Sequence, residues 1–111
     1  MARAVISKAA ADYILNKKRL RRPNIIIYRD MIGSSYRAPG AFLFIPKVKV
    51  IDGKEPNELF TVVDNASGIP VWIERGLLNS TPPNDSFMVY VERGLFKRLK
   101  VETSSKQVGR V

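Results

Sequence analysis

The sequence predicts an α+β fold: a single compact β-rich domain, a mixed or antiparallel sheet of about six strands, with one N-terminal helix. One observation is a near-repeat. Val71-Trp72-Ile73-Glu74-Arg75-Gly76-Leu77-Leu78 returns eighteen residues later as Val89-Tyr90-Val91-Glu92-Arg93-Gly94-Leu95-Phe96. Both copies alternate β-branched residues with an aromatic and a Glu, the period of a half-buried strand, and both break at Arg-Gly, where glycine suits a turn or bulge. A second observation is the apolar run Ile25-Ile26-Ile27, which predicts a strand buried on both faces and therefore central. The third is that only one stretch, near the N-terminus, carries helical spacing.

In chain order, Ser7 is placed to cap a helix through Ala9, Ala10, Ala11, Asp12, Tyr13, Ile14 and Leu15. Ala10, Tyr13, Ile14 and Lys17 fall on one face, Lys8 and Asp12 on another. The basic run Lys17-Lys18-Arg19-Leu20-Arg21-Arg22 follows, and Pro23 turns the chain out of helix. Asn24 to Arg29 is the first strand, and Met31 to Gly40 a glycine-punctuated loop. Ala41 to Ile45 is an apolar strand. After Pro46, the alternation Lys47-Val48-Lys49-Val50-Ile51 sends both lysines to the face away from the valines. Asp52-Gly53 marks a turn, Leu59 to Val63 a strand, and Asp64 to Gly68 its end. Asn79 to Ser86 connects the two copies of the repeat, expected as paired strands. Phe96 to Val101 is the closing strand. The domain is expected to span residues 1–102, with residues 103–111 a basic tail that orders only when something holds it.

At 111 residues the chain suits one core. It contains neither cysteine nor histidine, which excludes disulfides, thiolate chemistry and the commonest metal ligand and acid–base group. No cofactor and no metal are expected. No apolar run of signal-peptide or membrane-span length is present, so a cytoplasmic protein without a membrane partner is expected. The net charge of +9 is unevenly placed: +9 over residues 1–49, −5 over 50–92 and +5 over 93–111. Basic ends around an acidic middle imply a basic face that meets a polyanion; the bland alternative is a solvated, thermophile-type surface.

Several strings resemble a known family. A helix opening on Ile6-Ser7 precedes Pro23-Asn24-Ile25-Ile26-Ile27-Tyr28 and a glycine-rich loop. Gly68-Ile69-Pro70-Val71-Trp72-Ile73-Glu74-Arg75-Gly76-Leu77 and Phe96-Lys97-Arg98-Leu99-Lys100-Val101-Glu102 follow. Over about residues 5–102 the chain resembles the small archaeal and bacterial proteins related to HesB, the CC/Se-motif family, relatives of the A-type iron–sulfur carriers. The resemblance implies a compact β-rich fold with one N-terminal helix. It also implies a cysteine pair, or cysteine with selenocysteine, in the loop after the first long strand, where this chain has Gly33-Ser34-Ser35. Serine hydroxyls cannot replace thiolates on a soft cluster. Such kinship therefore implies a degenerate member, its site lost and its fold put to binding.

The residues expected to bind nucleic acid are Lys17, Lys18, Arg19, Arg21, Arg22, Arg29, Tyr36, Arg37, Lys97, Arg98 and Lys100. Lys and Arg neutralise phosphates and release counterions, and Tyr36 is suited to stack on an unpaired base. Lys97 and Arg98 should point to opposite faces of a strand, so at most one of them shares a surface with Lys100. The equivalent positions of Trp72 and Tyr90 suggest a stacking platform, with a layer beneath the N-terminal helix as the plainer reading. Glu74 and Glu92 would share that face, yet side chains next to Arg75 and Arg93 are more simply salt-bridged than catalytic. The Gly33 loop lacks the spacing of a phosphate-binding loop. The expectation is a non-enzymatic RNA-binding protein, most specifically a small ribosomal or ribosome-associated protein of archaeal type that contacts rRNA and neighbouring ribosomal proteins. RNA is preferred because no helix-turn-helix, zinc-finger or basic-zipper pattern is present. The alternatives are a HesB-like protein-interaction module, a nucleoid-type DNA-binding protein, and an enzyme using Ser34 and Ser35.

Overall fold

The computed structural model describes residues 3–17, 20–32, 43–63, 65–94 and 97–104. Strand β1 (Arg3–Ile6) leads into helix α1 (Lys8–Asp12), which continues as one π-helical turn over Tyr13–Lys17. Strands β2 (Pro23–Ile32), β3 (Leu43–Asp52), β4 (Phe60–Val63) and β5 (Val71–Glu74) follow. Helix α2 (Arg75–Asn79) then precedes β6 (Ser86–Glu92) and β7 (Arg98–Thr103). The domain is β-rich as expected, but the strands form two sheets: a three-stranded one in the order β1-β6-β7 and a four-stranded one in the order β3-β2-β5-β4. This corrects the single sheet of about six strands.

Both sheets turn one face inward. Ala4, Phe87, Val89 and Val101 from the first sheet meet Ile25, Ile27, Val71 and Ile73 from the second, and Ala10 and Ile14 of the helical segment join the same core. Ser7 caps α1 as its sequence position predicts, its Oγ accepting from the Ala10 amide at 3.0 Å. Ala10 and Ile14 are buried and Lys8 and Asp12 exposed, as the helical spacing requires. The isoleucine strand is central: Ile25, Ile26 and Ile27 are all buried, with β3 on one side and β5 on the other. Ile26 is buried although it faces away from the core, because Trp72 and Lys49 are its register neighbours on the two flanking strands.

Three local expectations change. Arg3–Ile6, unassigned in the sequence, is a strand parallel to β6, with Arg3 opposite Ser86 and Ile6 opposite Val89. The two copies of the repeat do not pair: β5 lies between β2 and β4, and β6 between β1 and β7. The first Arg-Gly starts a helix, not a turn. Leu77 of α2 is buried, the Arg75 amide donates to the Leu59 carbonyl at 2.8 Å, and the hydroxyls of Ser80 and Thr81 both donate to the Leu77 carbonyl. One buried leucine and these hydrogen bonds at its two ends support a five-residue helix. Farther on, Pro46 sits inside β3, where it is tolerated because β3 is an edge strand. β2 runs two residues into the expected loop and β7 one residue into the expected tail; residues 33–42 and 105–111 lie outside the described residues. No helix among the described residues is long and apolar enough to cross a membrane.

Candidate nucleic-acid interface

The free edges of the two sheets meet where β3 runs beside β7. Between them lies a groove of about 420 Å³, with Ile45, Pro46, Val48 and Leu99 as apolar lining and Lys47, Arg98 and Lys100 as its cations. Alternation explains the charge. Val48 and Val50 pack on the core, so Lys47 and Lys49 are turned outward; Leu99 and Val101 pack inward, so Arg98 and Lys100 are turned outward. Arg98, not Lys97, therefore shares the surface with Lys100.

Each side of this seam carries a tyrosine beside its lysine. Tyr28 of β2 is the register partner of Lys47, and Tyr90 of β6 is the register partner of Lys100. The Lys49 ammonium also stands 5.3 Å from the centre of the Tyr28 ring, within cation–π range. Burial pushes the Tyr90 phenol above its ordinary pKa, and Glu102 and Glu92 add to the shift, so it stays a neutral hydrogen-bond donor. Counter-charges are present: Glu102 lines the groove, Glu92 is the register partner of Arg98, and Asp30 lies 4.0 Å from Lys47. The Lys47–Asp30 pair is half exposed, and such pairs are worth only about 0–1 kcal/mol, little enough for a phosphate to displace.

The other expected residues are scattered. Arg29 belongs to the fold: its Nε and its amide both donate to Glu74 Oε1 at 3.0 Å. Burial raises the Glu74 pKa, but the Arg29 amide, its Nε–H and its charge outweigh that and leave the carboxyl below its ordinary value. Glu74 is thus committed to Arg29 and lies on a different sheet from Glu92, so the two carboxylates form no pair. Arg21 and Arg22 are exposed at the entry to β2. Lys97 is exposed too, beside Arg93 and Asp12, and its carbonyl accepts from the Tyr13 hydroxyl at 3.3 Å. The side chain of Lys17, together with Lys18, Arg19, Tyr36, Arg37, Ser34 and Ser35, lies outside the described residues.

Trp72 and Tyr90 do not form one platform, since β5 and β6 are in different sheets. Trp72 lies on the outer face of the four-stranded sheet, its indole N–H donating to Asn24 Oδ1 at 3.1 Å. Lys47 and Lys49, missing from the expected set, are the residues sequence reasoning overlooked. Their signal was the Lys-Val-Lys-Val alternation, which showed an outward face without showing what lay beside it. Compared with known proteins, the chain matches no family model and no curated protein.

Proposed function

We propose that the protein is a non-catalytic RNA-binding protein that holds an unpaired strand along the β3–β7 seam, serving as a small ribosomal or ribosome-associated protein of archaeal type. One observation carries this reading: Lys47 from one sheet and Arg98 and Lys100 from the other line a single groove, with Tyr90 in it and Tyr28 beside it. Cations spaced along adjoining strands neutralise successive phosphates, and tyrosine rings stack on unpaired bases, which is how sheet surfaces hold single-stranded RNA. Among the described residues the seam offers no protruding helix to enter a DNA major groove.

The test is fluorescence anisotropy of an end-labelled single-stranded RNA across a salt series, with the native protein and the Lys47→Gln, Arg98→Gln, Lys100→Gln triple variant. The variant should bind more weakly, and its log–log salt slope should flatten by roughly 0.7 per lost contact, about 2 in all. Equal affinity for DNA of the same sequence would transfer the reading to DNA. Absence of binding to either would end it. Sedimentation of native lysate with and without ribonuclease tests the ribosomal part, which requires co-migration with ribosomal particles that ribonuclease abolishes.

A further inference from the structure

A second groove, of about 470 Å³, opens beside Trp72 at the end of the four-stranded sheet where β2 and β5 begin. Its size is that of a small-ligand pocket. Pro23, Pro70 and Leu15 supply apolar lining, and Arg22 and Glu55 supply one charge of each sign. The indole is held in place. Asn24, itself buried, accepts the Trp72 N–H and donates through Nδ2 to the carbonyls of Arg22 at 3.3 Å and Lys54 at 3.1 Å. The Arg22 backbone is fixed as well, its amide donating to Asp52 Oδ1 at 2.8 Å and its carbonyl accepting from the Gly53 amide at 2.9 Å. Gly53 and Gly68, both at positive φ, border the groove and leave open space where a Cβ would stand. Asn65 braces the Gly68 turn, accepting from the Ser67 amide and donating to the Ile69 carbonyl.

A pinned indole in a groove with apolar lining suits a flat ring stacked upon it. Glu55 sets the edge that such a ring must present, because a carboxylate only accepts hydrogen bonds. Guanine alone places two adjacent donors, N1–H and N2–H, on its Watson–Crick edge. Uracil offers one donor between two acceptors, which a carboxylate repels; adenine and cytosine each set one donor beside an acceptor. The Arg22 guanidinium, with no partner among the described residues, is available to the phosphate.

We infer that the Trp72 groove takes a single unpaired guanine, stacked on the indole, read by Glu55 and anchored through its phosphate by Arg22. The inference rests on the RNA reading above for the strand that delivers the base. Trp72 lies across the sheet from Lys49, with β2 between them, an interval of about 10 Å. A strand crossing the seam can therefore reach the groove within a few nucleotides.

Trp72 is the only tryptophan in the chain, so its fluorescence reports on this groove. The experiment titrates GMP and UMP into the full chain, excited at the red edge of the indole band, with N-acetyltryptophanamide as the quenching baseline. GMP should quench saturably and at roughly tenfold lower concentration than UMP, the scale of one bidentate edge contact. Glu55→Gln should abolish that preference, and circular dichroism of the variant should be unchanged. Quenching by GMP no greater than the baseline, or equal quenching by UMP, overturns the inference. The two readings fail separately. Saturable GMP quenching without RNA anisotropy would keep the guanine groove and remove the RNA strand. RNA anisotropy in which guanine-containing and all-uracil oligomers leave Trp72 equally unquenched would keep the seam and remove the groove.

Discussion

Arg29 and Gly76 are coupled through the space a methyl group would occupy. A Cβ on Gly76 would stand 2.5 Å from Arg29 Nη2, so the first turn of α2 accommodates the Arg29 guanidinium only because residue 76 has no side chain. The clash is with the far end of a flexible side chain, so Gly76→Ala should displace Arg29 without disrupting the helix. Alanine recovers up to about 1 kcal/mol of helix propensity, so the substitution should be nearly neutral in the native background and stabilising where Arg29 is already alanine. A double-mutant cycle by urea denaturation should therefore give a coupling of about 1 kcal/mol, and simple additivity would contradict the contact. The same pair makes stability depend on pH. Because the folded-state pKa of Glu74 lies below its ordinary 4.5, its contribution is complete above pH 4.5 and is lost as pH falls through the lower, folded value. Glu74→Gln should flatten the acid limb of the stability profile below pH 4.5 and lower the plateau above it; an unchanged acid limb would show the pair to be inert.

Among the elements, the ones that could be read from sequence are those whose pattern is local. Ser7 and the Ala10/Ile14 spacing announce α1, and Ser7→Ala should cost about 1 kcal/mol by leaving the Ala10 amide without its oxygen partner, measured as a shift in the urea midpoint at unchanged m-value. The Ile25–Ile27 run announces a central strand, and the Lys47/Lys49 alternation announces an outward face. What could not be read depends on partners distant in sequence. β1 has only four residues and pairs with β6, whose register begins at Ser86. The two copies of the repeat have the same strand pattern, yet no local feature says that β5 joins β2 while β6 joins β1. The Arg-Gly that follows both strands is helical only in the first copy, where Arg29 stands over Gly76 and Leu77 finds the core. The candidate interface was half legible for the same reason: Arg98 and Lys100 were expected on it, whereas Lys47 joins them only because β3 comes to lie beside β7.

For the molecule as a whole, the fold gives the charge asymmetry a geometry. Lys47 and Lys49 belong to the basic first part of the chain and Arg98 and Lys100 to its basic end, and the meeting of β3 with β7 brings both to one side. Association with an RNA should accordingly slow as ionic strength rises, with the native protein losing more rate than the Lys47→Gln, Arg98→Gln, Lys100→Gln variant in stopped-flow measurements. Equal salt sensitivity of the two on-rates would place the steering charge elsewhere. The same meeting of strands has a consequence for self-association. Two open sheets present four bare edges, each a template on which another chain can add a strand and seed an aggregate. Here β3 and β7 face one another across the groove, with lysine and arginine on the outward side of both, and charged side chains blunt an edge. Among the described residues the other two edges are β1 and β4, each four residues long, and short edge strands make poor templates.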